Sequence, residues 1–95
     1  MIVRTGCLSP HVAPAQPDHM RLVWREPYKG EERVRVFAWT CECQDTVYEL
    51  RHAAGLAYIR RRRLINGATE LRETYRWRLG EAYSVWGALL GGQAR

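Results

Sequence analysis

The hydrophobic period of this 95-residue chain changes once, at Asn66-Gly67. Before that dipeptide apolar side chains recur every second residue, the repeat of a half-buried strand. After it they recur every three or four residues, the repeat of a helix that packs on one side. A chain of this length holds one domain, so both patterns must share one core. The expectation is an α+β fold: a four-stranded antiparallel meander followed by one C-terminal amphipathic helix.

The first strand is read at Met20–Arg25, where Met20, Leu22 and Trp24 alternate with Arg21, Val23 and Arg25. Pro27 and Gly30 then mark a turn. The second strand runs from about Arg33 to Cys41, with Val34, Val36 and Ala38 on one face and Phe37 and Trp39 on the other. The third covers Thr46 to His52 and the fourth Leu56 to about Arg62. Ala53-Ala54-Gly55 reads as a three-residue hairpin loop, with Gly55 in the left-handed position. That register puts Tyr48 and Leu50 on the face of Leu56 and Tyr58. A two-residue loop would pair them with Ala57 and Ile59, but it asks Ala54 to adopt φ > 0. The helix stripe is Tyr75, Leu79, Ala82, Tyr83, Trp86, Leu89 and Leu90. Thr74 or Thr69 caps its start, and Gly91-Gly92 ends it.

Residues 1–19 differ from the rest. Pro10, Pro14 and Pro17 interrupt them, and Ile2, Val3, Leu8 and Val12 follow no period. Proline removes amide donors and fixes φ, so this stretch is read as a flexible arm ahead of a domain at 20–95. Met1 and Met20 both stand as candidate starts. Met1 to Leu8 holds no secretory signal, and no apolar run reaches the roughly 20 residues of a membrane span. The reading is a soluble, cytoplasmic module.

Fifteen basic residues, fourteen of them arginine, face ten acidic ones, for a net charge of +5. The excess is local. Residues 46–66 carry Arg51 and Arg60, Arg61, Arg62 and Arg63 against Glu49 alone. Arginine forks onto phosphates and stacks on bases. With Tyr58 between Arg51 and the run, the hairpin offers the cations and aromatic that phosphate-plus-stacking recognition needs. The bland reading is a solvated strand end whose arginines pair with Glu49, Glu70 and Glu73.

Three cysteines, Cys7, Cys41 and Cys43, make no disulfide framework. A zinc site asks for four ligands, usually in separated pairs. Cys41-x-Cys43 is one pair, and the other candidates are Cys7, His11, His19 and His52. No metal site and no cofactor is read, and the thiols are taken as half-buried side chains. No nucleophile, base and orienting group can be placed together, and no glycine-rich phosphate loop occurs, so an enzyme is not expected.

The C-terminal half carries Tyr48-Glu49-Leu50, Gly55, Tyr58-Ile59-Arg60-Arg61, then Trp86 with Leu89-Leu90, Gly92, Ala94 and Arg95. Over about the last 50 residues this is similar to small uncharacterised proteins of GC-rich bacteria that share the Tyr-Glu-Leu, Gly, Ile-Arg-Arg hairpin and the Trp-x-x-Leu-Leu end. The resemblance implies a small stand-alone module and no known activity.

Two functions follow. In the first the chain is a non-enzymatic regulator or accessory factor that contacts nucleic acid through Arg51, Tyr58 and Arg60 to Arg63. In the second it is a protein-interaction module. There Trp77, off the helix stripe between Arg76 and Arg78, joins Trp86, Leu89 and Leu90 in an interface, and the arginines steer an acidic partner. The breadth of the helix stripe also suits a homodimer.

Overall fold

A computed structural model describes residues 7–95; residues 1–6 of the expected arm lie outside it. Four strands, β1 (Arg35–Trp39), β2 (Thr46–Ala53), β3 (Leu56–Ile65) and β4 (Ala68–Glu73), form one antiparallel sheet in the order β1-β2-β3-β4. One helix, α1 (Leu79–Leu90), follows. This is the expected α+β meander and helix, but two strands have changed identity. Among the described residues no helix is long and apolar enough to cross a membrane.

Met20–Arg25 is not a ladder strand. Met20 bridges Ala94 and Arg25 bridges Glu73, the latter through reciprocal amide bonds of 2.9 Å, so this stretch runs from the segment after the helix to the end of β4. The fourth strand is instead Ala68–Glu73, part of the region expected to begin the helix. Asn66 (φ 51°) and Gly67 (φ 79°) make the tight two-residue turn that returns the chain beside β3. Oppositely charged partners then face each other, Arg60 opposite Glu73 and Arg63 opposite Glu70.

The β2–β3 turn is also the two-residue form. Ala53 pairs with Leu56, Leu50 with Ile59 and His52 with Ala57, while Ala54 sits at φ 53°. The three-residue register was wrong because it would have split Leu50 from Ile59. Both are fully buried, and burying each contributes about 1.5–3 kcal/mol. A left-handed alanine costs only about 1–2 kcal/mol.

Tyr48, Leu50, Ala57 and Ile59 face Ala82, Val85, Trp86 and Leu89 of α1 across the core. The buried helix positions fall at i, i+3, i+4 and i+7, one side of the cylinder. Thr69 lies in β4, and Thr74 Oγ1 accepts from the Ile59 amide and donates to the Tyr75 carbonyl, so neither caps α1. Arg78 holds the N-cap position without a side-chain bond. Gly91 and Gly92 do end the helix, with Gly92 at φ +83°.

Residues 7–19 carry no helix or strand, in keeping with their prolines, yet they are tethered. Ala13 donates to the Leu90 carbonyl (2.8 Å), Gln16 to Gly92 (2.8 Å) and Cys41 to Pro10 (2.9 Å). A Cβ on Gly92 would run into the Pro14 carbonyl, so glycine admits the segment there.

Candidate ligand-binding surface

The arginine run lies inside β3, so alternate guanidiniums point to opposite faces. Arg60 and Arg62 share the face away from the helix with Arg51 and Tyr58; Arg61 and Arg63 lie on the helix side. Each of the four is ion-paired. Arg60 reaches Glu73 at 2.7 Å, Arg61 reaches Glu70 at 3.5 Å, Arg62 reaches Glu42 at 3.6 Å and Arg63 reaches Glu70 at 2.6 Å.

Glu73 is the hub of the outer face. Its buried carboxylate accepts from Arg60 Nε (2.9 Å), Arg60 Nη2 (2.7 Å) and the Tyr28 amide (3.1 Å), with Arg51 Nη1 3.8 Å away. Nearby, Arg76 pairs with Glu32. The segment that joins Arg25 to β1 thus supplies Tyr28 and Glu32 to this face. Tyr58 is 2% exposed, with Arg76 4.8 Å and Arg51 5.9 Å from its ring centroid. Burial pushes its hydroxyl above the ordinary tyrosine range. The base-stacking role expected of Tyr58 is therefore closed in this arrangement.

On the helix side Arg61 lies 4.6 Å from the Trp24 ring centroid, and burial holds its guanidinium below the usual arginine range. Glu70 is kept below the ordinary carboxylate range by its hydrogen bond from Arg63, as is Glu32 by Arg76. Arg60 and Arg61 are engaged in part-buried pairs, and Arg62 and Arg63 in more exposed ones.

The expected interface residues are placed differently as well. Trp86 and Leu89 are core, Leu90 packs against that core, and Trp77 is half-buried with its amide and carbonyl bonded to Ala57. Of the expected stripe, Ala82, Trp86 and Leu89 face the sheet of the same chain, while Tyr75, Leu79 and Tyr83 are exposed.

A different surface combines open cations with aromatics. At β1 the register slips between Val36 and Ala38, a bulge that leaves Phe37 without a cross-strand partner. The Phe37 ring stacks on His52 at 3.6 Å and 9°, and Tyr83 of α1 meets the same imidazole, with its hydroxyl 3.2 Å from Nε2. Phe37 and Tyr83 are about half exposed. Arg35 lies 5.7 Å from the Phe37 ring centroid. A shallow groove of about 300 Å³ runs here between Arg33, Arg35, Phe37, His52 and Leu79. Among the described residues neither Arg33 nor Arg35 has a carboxylate partner. The apolar alternation hides this surface, because it sets Phe37 and Trp39 on one strand face without showing that the face is open. The available signal was Arg33-x-Arg35-x-Phe37, alternate positions on a strand.

At the opposite end of β1, Cys7, His11, Cys41 and Cys43 converge, four residues read as belonging to no ligand set. The overlooked signal was the mixed pair Cys7-x3-His11. No protein-family model, curated protein or solved structure matches this chain.

Proposed function

We propose that the protein is a non-enzymatic binding module, an accessory factor that takes single-stranded nucleic acid along β1. The observation that carries this reading is the open pair Arg33 and Arg35 beside the half-exposed Phe37 ring stacked on His52, while every arginine of the β3 run is ion-paired. Sequence-tolerant binding of single strands needs cations for the phosphates and exposed rings for the bases. Both lie within one groove here. Nothing in this arrangement activates a nucleophile.

The test is fluorescence anisotropy with a labelled single-stranded oligonucleotide at two salt concentrations. Each phosphate contact contributes about 0.7 to the slope of log affinity against log salt. Arg33→Ala with Arg35→Ala is expected to weaken binding and flatten that slope by about 1.4. Arg61→Ala with Arg62→Ala is expected to change it far less. Equal losses in the two double variants would return the site to the β3 run.

A second reading rests on the free edge of the sheet. β1 has a strand neighbour on one side only, and Val36, Phe37 and Trp39 are all exposed. An extended segment of a partner protein could add there as a fifth strand. Wild type that binds neither DNA nor RNA at low salt would favour this reading over the first.

A further inference from the structure

We propose that Cys7, His11, Cys41 and Cys43 form a tetrahedral zinc site that fastens the N-terminal segment to the β1–β2 connection. The four ligand atoms lie within 4.8 Å of one another. Cys7 Sγ is 3.5 Å from Cys43 Sγ, and His11 Nε2 is 3.3 Å from Cys7 Sγ and 3.2 Å from Cys43 Sγ. Zinc bonds of 2.3 Å to sulfur and 2.0–2.1 Å to nitrogen set tetrahedral edges of about 3.8 Å and about 3.5 Å. The three edges among Cys7, His11 and Cys43 are a few tenths of an ångström shorter and the remaining pairs lie within 4.8 Å, a spread that side-chain rotation can gather around a central cation.

Burial gives no reason for this convergence. Cys7, His11 and Cys43 are exposed, and only Cys41 is buried. Nor is it a disulfide, whose sulfurs lie about 2.05 Å apart. The surroundings suit charged sulfur. The Cys43 amide donates to Cys41 Sγ at 3.4 Å and the Gln44 side-chain amide to Cys43 Sγ at 3.3 Å. Such outer donors hold thiolate ligands in place and spread their charge. The backbone brings the two ligand pairs together, since the Cys41 amide donates to the Pro10 carbonyl, one residue before His11.

The donor set chooses the metal. Three thiolates and an imidazole are soft ligands that take zinc rather than magnesium, calcium or manganese. Four protein ligands fill the tetrahedron and leave no open position for water or substrate, the mark of a structural site.

The test uses the full chain, purified with a phosphine reductant and no chelator. One zinc per chain by mass spectrometry is expected. The metal-free protein, given cobalt, should show the intense visible bands of tetrahedral cobalt with thiolate charge transfer. Cys43→Ser and His11→Ala are each expected to lower cobalt affinity more than tenfold, while His19→Ala and His52→Ala leave it unchanged. His11→Cys should still take one cobalt, with stronger charge transfer from a fourth thiolate, and this variant keeps the test decisive if the others fold poorly. Reduced wild type that binds neither metal overturns the site. So does unchanged affinity in Cys43→Ser and His11→Ala, or a Cys7–Cys43 disulfide in protein whose free thiols are alkylated at lysis before any reductant is added.

Discussion

Ala54 is the residue that gives way in this fold. It sits at φ 53° in an exposed tight turn where glycine or asparagine is preferred. Its side chain is exposed; the register demands the conformation, because Ala53 pairs with Leu56 and so keeps Leu50 opposite Ile59. Replacing Ala54 with Gly or Asn should therefore raise stability by about 1 kcal/mol, given the cost of a left-handed alanine. Urea unfolding with an unchanged m-value checks it, and a loss of stability would place the strain elsewhere. Residue propensity was legible here but ranked wrongly, since turn preference was weighed without the burial it competes with.

At the scale of elements, the helix and the existence of the β2–β3 hairpin, though not its register, were readable from the apolar spacing of Val47 to Ile59 and of Leu79 to Leu90. β4 was not, because Ala68–Glu73 has few apolar residues and its partners are charges. The signal was the symmetry of Arg60 and Glu73, and of Arg63 and Glu70, about Asn66-Gly67. That symmetry also explains why the run is poor bait for phosphate. Glu73→Ala should leave Arg51 and Arg60 half-buried without their shared carboxylate and cost about 3–5 kcal/mol. Thermal melts should then show a large loss, and Glu42→Ala, which removes an exposed partner of Arg62, a loss within about 0.5 kcal/mol. Similar losses in the two variants would remove Glu73 from its central place.

Across the whole molecule, ion pairs join segments far apart in sequence, as Glu32 does with Arg76, and lock neighbouring strands, as Glu70 does with Arg63. Both carboxylates are held below their ordinary value by these arginines. A carboxylate depressed in the folded state stabilises it above the unfolded value and loses that contribution as pH falls. The melting temperature should be flat above about pH 5 and decline below about pH 4. Glu70→Gln should make the acid limb shallower, as circular dichroism melts at several pH values would show; an unchanged limb would assign acid sensitivity to other groups. The docking of residues 7–19 was illegible in the sequence, because backbone bonds to Leu90 and Gly92 leave no side-chain pattern. That docking also sets an order of events. The strands from Thr46 to Glu73 meet across two-residue turns, whereas Ala13 must find Leu90 and Met20 must find Gln93. Closing so long a loop is the slower and entropically costlier step. The sheet can close before residues 13–22 meet the groups beyond the helix that receive them. The segment that precedes the sheet in the chain is seated after it.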